Sequence, residues 1–376
     1  MMRVLYINNE DRNIGGATLS LENLLHAVKD SVDAIIIVRE EGTVSQYLRD
    51  AGFKVLVIPF QRATFNGSML KRIVRFVPHW INVKADRSRF VGKVRKALGE
   101  WTPDIVHSNS GTIDIGLHLA KALGIPHVWH LREFLDLDFD QHPFPSWKAW
   151  RKELSSSNAV IAVSSGIYRH HKLEQHPGAR WINDAVRPAS FRKLLTPKEK
   201  YFVFCASIYS EAKMPDVAVR AFLDSGVWKN GYHLRLVGNC PTELRRRLCS
   251  IAEEAAPMLE FPGFAADVSE HLLHASAFLM TSRCEGLGRV TVEAMFCGCP
   301  VIARRSGGSL DILDDGKTGF LFTTEKECAQ LIGRVAAKTP MDVVEAAADR
   351  AVAAFSEEAY GKKILEVYND CHINES

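Results

Sequence analysis

Residues 275–322 read ASAFLMTSRCEGLGRVTVEAMFCGCPVIARRSGGSLDILDDGKTGFLF, and this stretch decides the fold of the chain. It begins with an apolar run, passes through a polar, glycine-rich segment, and continues as an apolar helix and a second short apolar run. This order of strand, loop, helix and strand is the repeating unit of a parallel sheet. Gly286 and Gly288 stand where the loop enters the helix, so a ligand can approach the main chain there. The N–H groups at the start of the helix attract an anion such as phosphate.

Two carboxylates frame this helix entry. Glu285 comes just before the turn, and Glu293 lies about one helical turn inside the helix. They belong to the pattern S-x-x-E-G-x-G-x-x-x-x-E-A-M, which is followed by C-G-x-P-V-I-A and S-G-G. A βαβ unit that only builds a core does not require two carboxylates and two glycines at a helix entry. The pattern therefore indicates a ligand site.

The pattern resembles the donor-binding signature of retaining glycosyltransferases of family 4. The resemblance is specific over residues 275–322 and loose over the rest of the chain. It implies an α/β protein of the GT-B fold, with two Rossmann-like domains facing across a cleft that holds the active site. It also implies a retaining, metal-independent glycosyltransferase of hexosyltransferase type. The enzyme would transfer a sugar from a nucleoside diphosphate sugar to a glycan or lipid-linked acceptor, in cell-surface polysaccharide synthesis.

The composition agrees with two soluble domains. The chain has 376 residues, of which 47% are hydrophobic and 24% charged. We expect an acceptor-side domain over residues 1–190, a nucleotide-sugar domain over 191–355, and a terminal helix over 356–376 that crosses back to the first domain. The first residues are too soon polar for a secretory signal, which predicts a cytoplasmic protein. The eight cysteines form no C-x-x-C pair and are expected to be reduced thiols, and a net charge of +3 does not favour nucleic acid.

Two features of the first domain are candidates for contact with substrate. Gly15 and Gly16 form a loop between an apolar strand and a helix, which indicates either a phosphate site or a simple tight turn. The resemblance implies that this loop approaches the donor diphosphate or the acceptor. His130, in W-H-L-R-E-F, follows a predicted parallel strand, and ligands of open α/β sheets bind beyond such strand ends. A histidine there is more often structural, but the resemblance implies a catalytic position near the transferred sugar, with Asn109 on the acceptor side.

The resemblance assigns the donor contacts to the second domain. Glu293 would bind the ribose hydroxyls, and Glu285 would contact the transferred sugar. Lys213 and the main chain at Gly288, Arg289 and Val290 would stabilise the charge on the leaving diphosphate. Ser207 stands where the family carries a diphosphate-binding arginine, and Met214 stands where it carries a glycine. Loops at Gly238 and Phe264 would border the nucleotide. No metal and no cofactor are expected, because these groups take the place of a metal.

Residues 69–96 are strongly basic, with nine Lys or Arg residues against Asp86 alone, so their net charge is nine minus one, or +8. Phe76 and Trp80 are interleaved with these charges. The segment is either a solvated helix face or a patch that meets an anionic membrane surface, and aromatic residues within a basic segment favour the membrane. The protein would then be peripheral on the cytosolic membrane face.

Two other functions compete with a transferase. One is a sugar-nucleotide epimerase of the GT-B fold, which needs no membrane acceptor. The other is a non-catalytic sugar-nucleotide-binding subunit, which only the replacement of the diphosphate arginine by Ser207 favours.

Overall fold

The structure is a computed structural model that describes residues 1–10, 12–66, 69–194, 197–206 and 211–373. At residues 66, 69–75, 211 and 373 it describes the backbone alone. The chain divides into two compact units. The first comprises Met1–Ala185 and Glu357–Ser376, and the second comprises Val186–Ser356.

The first unit is built on a seven-stranded parallel sheet, with strand order β3-β2-β1-β5-β6-β8-β9. A separate antiparallel pair is formed by β4 and β7. The strands are β1 (Met2–Ile7), β2 (Val32–Val38), β3 (Lys54–Val57), β4 (Thr64–Asn66), β5 (Ile105–Ser108), β6 (His127–Leu131), β7 (Gln141–Pro143), β8 (Ala159–Ala162) and β9 (Ala179–Trp181). The helices are α1 (Gly16–Val28), α2 (Thr43–Asp50), α3 (Met69–Leu98), α4 (Ile115–Leu123), α5 (Asp136–Phe139), α6 (Trp147–Leu154) and α7 (Ser165–His170).

The core of the first unit follows from its hydrophobic patterns. Strands covered on both faces read as continuous apolar runs, and β1 buries four of its six side chains and β2 five of its seven. On α1 the apolar residues recur at helical spacing, so Leu21, Leu24, Leu25 and Val28 all face the sheet. Strand β1 pairs with β2 on one side and β5 on the other. The carboxyl ends of β1, β5 and β6 therefore lie side by side at one edge of the sheet.

The second unit has a six-stranded parallel sheet, with strand order β12-β11-β10-β13-β14-β15. Its strands are β10 (Tyr201–Cys205), β11 (His233–Val237), β12 (Leu259–Gly263), β13 (Ala277–Met280), β14 (Val301–Arg304) and β15 (Phe320–Phe322). Its helices are α8 (Pro215–Ser225), α9 (Thr242–Ala252), α10 (Ser269–His274), α11 (Arg289–Phe296), α12 (Ser309–Ile312), α13 (Glu325–Ala337) and α14 (Met341–Phe355). The expected strand, loop, helix and strand of residues 275–322 are thus β13, α11 and β14.

The chain returns to the first unit through α15 (Glu357–Ile373). Tyr360, Ile364 and Tyr368 of this helix are buried in the same hydrophobic cluster as β1 and α1. The N-terminal segment of the first unit ends at Ala185, five residues before the boundary at residue 190 expected from the sequence. The reason is local, because the Val186 N–H donates to the Phe355 carbonyl and so fixes Val186 within the second unit.

Two segments of the first unit are more regular than the sequence suggested. The basic stretch lies within α3, a 30-residue helix that contains Pro78. Residues 136–150, which are rich in aromatic residues and proline, contain α5, β7 and the start of α6. Strand β7 forms through its pairing with β4. This contact joins distant segments of the chain, so no local sequence pattern predicts it.

Candidate functional site

The Glu285 loop connects β13 to α11. Gly288, directly before α11, has φ +90°, in the left-handed region that glycine adopts more readily than other residues. This conformation turns the chain into the helix, so the first N–H groups of α11 follow directly after the loop. The sequence prediction of a glycine turn at the helix entry is therefore found at Gly288.

A second pair of glycines holds this loop in place. The Gly308 N–H donates to the Glu285 carbonyl at 3.0 Å. A Cβ at Gly308 would lie 2.1 Å from the Leu287 carbonyl oxygen, and one at Gly307 would lie 2.7 Å from the Glu285 carbonyl oxygen. Side chains are excluded at both positions by this close backbone approach. The S-G-G motif thus fixes the main chain of the Glu285 loop, a role that the sequence pattern alone did not assign.

Lys213 and Glu285 form an ion pair, although they are 72 positions apart. The Lys213 Nζ donates to Glu285 Oε1 at 2.6 Å, and both side chains are partly buried. The backbones of the two loops are also joined, because the Arg283 N–H donates to the Ala212 carbonyl at 2.8 Å. The Thr281 hydroxyl donates to the carbonyl oxygens of Lys213 and Met214. The structure therefore brings together two residues that the sequence assigned to catalysis.

Met214, which stands where the family pattern has a glycine, has a left-handed backbone conformation. Its φ is +50°, and it directly precedes α8. The left-handed region is uncommon for a side chain of this size, and the unit tolerates it while packing Met214 against the core. Ser207, the position of the expected arginine, lies outside the described residues.

Glu293 lies on α11 and is buried, with 9% of its surface exposed. Among the residues described in the structure, none donates a hydrogen bond to its carboxylate. A carboxylate accepts hydrogen bonds through both oxygens, so a ligand that supplies two hydroxyl groups would find free acceptors here. Arg289 and Val290 form the first turn of the same helix.

The other two predicted nucleotide loops lie next to each other. The Gly238 N–H, which follows β11, donates to the Gly263 carbonyl at 2.8 Å. The Phe264 side chain beside it is 71% exposed. A large exposed aromatic ring is available for stacking, and this is compatible with the predicted contact to a nucleotide base.

The glycine loop of the first unit is already bound to a carboxylate of the chain itself. Glu10 Oε2 accepts from the Gly15 N–H at 3.1 Å and from the Thr18 N–H at 2.8 Å, at the start of α1. A Cβ at Gly15 would lie 2.2 Å from Glu10 Oε1, so a side chain there would displace the Glu10 carboxylate. The donors considered for a phosphate are thus capped internally in this structure. Gly16 is the first residue of α1.

His130 lies on β6 and is fully buried, together with His107, Arg132 and Asp184. Its Nδ1 lies 3.3 Å from His107 Nε2 and 3.4 Å from an Arg132 nitrogen. Its Nε2 lies 3.6 Å from Asp184 Oδ1 and has no hydrogen-bond partner among the described residues. Burial lowers the pKa of both histidines well below the usual value, so both rings are neutral.

Arg132 links this group to the expected acceptor side. Its guanidinium donates to Asp184 and, through Nε, to the Asn109 side-chain oxygen at 2.9 Å. The Asn109 amide in turn donates to Asn8 Oδ1 and to the Ala17 carbonyl. The sequence assigned His130 and Asn109 to the acceptor side, and in the structure both contact Arg132, which also binds Asp184. The sequence prediction did not name Arg132 or Asp184 as site residues.

Helix α3 presents apolar and basic residues in succession. Phe76, Val77, Trp80 and Ile81 are exposed, while Phe90 and Val94 of the same helix pack in the core. Arg87 is not part of the surface charge, because it pairs with Asp114, directly before α4, and with Glu153 of α6. The side chains of Lys71, Arg72 and Arg75 lie outside the described residues. Among the described residues, no helix has both the length and the apolar character needed to span a membrane.

Comparison with known families places the chain. Residues 42–180 match the model described as Glycosyltransferase Family 4, and residues 186–347 match the model described as Glycosyl transferases group 1. The chain belongs to the family 4 type of GT-B glycosyltransferases. The second match begins at Val186, the first residue of the second unit, and it contains Lys213, Glu285 and Glu293.

Individual relatives agree with this assignment. Sulfoquinovosyl transferase SQD2 of Arabidopsis thaliana is 24% identical over 317 residues, which cover 74% of this chain and 58% of the relative. An uncharacterized glycosyltransferase of Methanocaldococcus jannaschii is 25% identical, covering 85% of this chain and 84% of its own length. The crystal structure of Anabaena HepE in complex with UDP has a TM-score of 0.80 at 19% identity, and the match covers 98% of this chain and 100% of HepE. The last likeness shows the fold.

Proposed function

We propose that this chain is a retaining, metal-independent glycosyltransferase. It transfers a sugar from a nucleoside diphosphate sugar to a glycan or lipid-linked acceptor. The enzyme acts in the cytoplasm, and its product serves cell-surface polysaccharide synthesis. The observation that carries the proposal is the Lys213–Glu285 pair at the loop that leads into α11. It joins a cation for a diphosphate and a carboxylate for sugar hydroxyls in one place.

The donor is assigned to the second unit. Glu293 accepts hydrogen bonds from the two ribose hydroxyls, a task that suits a buried carboxylate with unused acceptor capacity. The exposed ring of Phe264 and the Gly238 loop border the base. Because HepE, which shares the fold, was solved in complex with UDP, uridine donors are the first to test.

The leaving group is stabilised by fixed positive charge. The α11 N–H groups and Lys213 face the diphosphate as its charge grows, which is electrostatic stabilisation of the transition state. Lys213 is held by Glu285 in the free protein, so it is already ordered when the donor arrives. These groups take the role of a metal, and no metal is assigned.

The acceptor is assigned to the first unit, with His130 as the group near the transferred sugar. Asn109 and Arg132 share its polar network. Helix α3 brings this unit to an anionic membrane surface on the cytosolic side. Its exposed apolar residues would enter the interface shallowly, and the following exposed cations, including Arg89 and Lys93, would meet lipid headgroups.

Turnover of a panel of sugar nucleotides tests the proposal. Purified protein is incubated with UDP-, GDP-, ADP- and TDP-sugars, with and without lipid-linked acceptors. Slow hydrolysis of one donor without acceptor, and faster nucleotide release with it, is the expected result. A converted sugar nucleotide would instead identify an epimerase, and binding without turnover a non-catalytic subunit. The intact Lys213–Glu285 pair favours the transferase over that subunit.

A further inference from the structure

A chain of buried hydrogen bonds leads from α15 to His130. The Tyr6 and Tyr368 hydroxyls lie 3.0 Å apart, and the Tyr368 hydroxyl lies 2.8 Å from His107 Nδ1. The other His107 nitrogen, Nε2, lies 3.3 Å from His130 Nδ1. All four side chains are fully buried in the first unit, so each of these bonds forms away from water. Tyr368 belongs to the helix that returns from the second unit.

Arg132 sets the direction of this chain of hydrogen bonds. An arginine nitrogen can only donate, and Arg132 lies 3.4 Å from His130 Nδ1, so this contact favours an unprotonated Nδ1 that accepts. The proton of the bond between the two histidines then belongs to His107 Nε2. A neutral imidazole carries one N–H, which leaves His107 Nδ1 as an acceptor for the Tyr368 hydroxyl. Tyr368 gives its single proton to His107 and therefore accepts from Tyr6.

The surroundings of His130 Nε2 indicate the same direction of the hydrogen bonds independently. A neutral ring with an unprotonated Nδ1 carries its proton on Nε2, which faces Asp184 Oδ1 at 3.6 Å. In the opposite tautomer a nitrogen lone pair would face the carboxylate, which is repulsive. Burial raises the pKa of Tyr368 well above its usual value, so its hydroxyl keeps the proton that it donates.

We propose that Tyr368 and His107 are positioning residues that, together with Arg132 and Asp184, hold His130 in its Nε2–H form. The hydrogen bonds run from Tyr6 to Tyr368, from Tyr368 to His107, and from His107 to His130. They leave His130 with one donor, Nε2–H, which has no hydrogen-bond partner among the described residues. That donor lies beside the Asp184 carboxylate and is buried in the free protein, so a sugar hydroxyl that accepts from His130 and donates to Asp184 would reach it only in the substrate complex. This use of the donor rests on the proposed function, whereas the tautomer does not.

Nitrogen NMR of the protein labelled with ¹⁵N-histidine measures the tautomers directly. The spectrum of the wild-type protein should show His130 and His107 as neutral rings protonated at Nε2, with resonances identified by loss in His130→Gln and His107→Gln. Finding either ring protonated at Nδ1 in the wild-type protein would overturn the proposal. This measurement needs no variant that must keep the network intact.

The variant Tyr368→Phe and the control Tyr6→Phe sharpen the test. Tyr368→Phe removes the donor to His107 Nδ1 and should shift the His107 ring toward a mixture of tautomers, which weakens its hydrogen bond to His130. The His130 ring should shift less, because Arg132 and Asp184 remain beside it. Tyr6→Phe removes the same atom one bond further away and should leave both rings as they are. If the tautomers of both histidines were unchanged in a folded Tyr368→Phe protein, the proposed chain of hydrogen bonds would be contradicted. We expect Tyr368→Phe to lower kcat about tenfold and Tyr6→Phe less than twofold. A shifted tautomer with unchanged kcat would support the chain of hydrogen bonds from Tyr368 to His130. It would contradict the proposed contact between His130 and the sugar.

Discussion

The Nζ of Lys213 lies 2.6 Å from Oε1 of Glu285, and this ion pair joins the loop before α8 to the loop before α11. Side-chain exposure is 28% for Lys213 and 14% for Glu285, so water screens the pair only in part. In the proposed reaction the diphosphate of the bound donor competes with Glu285 for Lys213. Lys213 then contacts the diphosphate, and Glu285 contacts the hydroxyl groups of the transferred sugar. The pair therefore acts both on stability and on turnover, and the two effects can be measured separately.

Replacing Lys213 by alanine should lower turnover more than it lowers donor affinity. The charge on the diphosphate is larger in the transition state than in the bound donor, so a cation there acts mainly on kcat. We expect a loss of about 2–3 kcal/mol in transition-state stabilisation, or roughly 30- to 150-fold in kcat. Steady-state kinetics with Lys213→Arg as the charge-conserving control measures it. Normal turnover of Lys213→Ala at saturating donor would remove Lys213 from the mechanism.

Replacing Gly288 by alanine should impair donor binding as well as stability. Its φ of +90° strains any side chain, although a Cβ would meet no atom closer than 3.5 Å. Gly316, at φ +75° with no atom within 4 Å of its Cβ position, is the matched control. Both variants should lose about 1 kcal/mol of unfolding free energy, because the backbone cost is the same. Only Gly288→Ala should also weaken donor affinity in calorimetric titration, and equal donor affinity in the two variants would contradict this role.

Helix α3 should bind vesicles in a charge-dependent way. Co-sedimentation should rise with anionic lipid content and fall with salt, because cations near such a surface contribute about 1 kcal/mol each. Charge reversal of Arg89 and Lys93 to glutamate should weaken binding, and Trp80→Ser with Ile81→Ser should weaken it further. Reversal of Lys362 and Lys363, exposed on α15, changes the net charge equally and serves as the control. Recovery in the supernatant under all conditions would point to a soluble acceptor.

Glu133 should make stability depend on pH near neutrality. Burial raises the pKa of Glu133 to about 7 from its usual 4.5, although Gly111 donates an N–H to its carboxylate. The unfolded chain therefore loses this proton at lower pH than the folded chain does. Stability falls as pH rises from about 4.5 to about 7, and the contribution is constant above that. Glu133→Gln should thus gain about 1–3 kcal/mol relative to wild type between pH 4.5 and pH 8. Denaturant unfolding at both pH values measures it, and an equal difference at both would refute the assignment.

The sequence predicted most regular elements because their signals are local. The β13–α11–β14 unit, the paired glycines of the Glu285 loop and the helices α13 and α14 all follow from hydrophobic period and turn residues. The contact of Lys213 with Glu285 could be expected only from the resemblance. Assignment of the chain to its family confirms that resemblance, whereas the roles of the site residues stay predictions.

What the sequence could not predict depends on distant side chains. Tyr368 meets His107 across 261 positions, and no period or motif relates the two. Glu10 caps the glycine loop through its side chain, five residues before Gly15, so the loop looked open to a phosphate. Arg87 is one of the nine basic residues counted in the segment 69–96. In the structure it forms ion pairs with Asp114 and Glu153 within the first unit, which the sequence did not predict.

The central claim is that the second unit binds a nucleoside diphosphate sugar through Glu293. Calorimetric titration of UDP-, GDP-, ADP- and TDP-sugars against wild-type protein, Glu293→Ala and the control Glu345→Ala, at an exposed position on α14, tests it most directly. We expect one donor to bind the wild type and the control equally. Glu293→Ala should bind that donor about 2–4 kcal/mol more weakly, because two hydrogen bonds to an ionised carboxylate are lost. Equal affinity for Glu293→Ala, or binding of none of the donors to the wild type, would contradict the account.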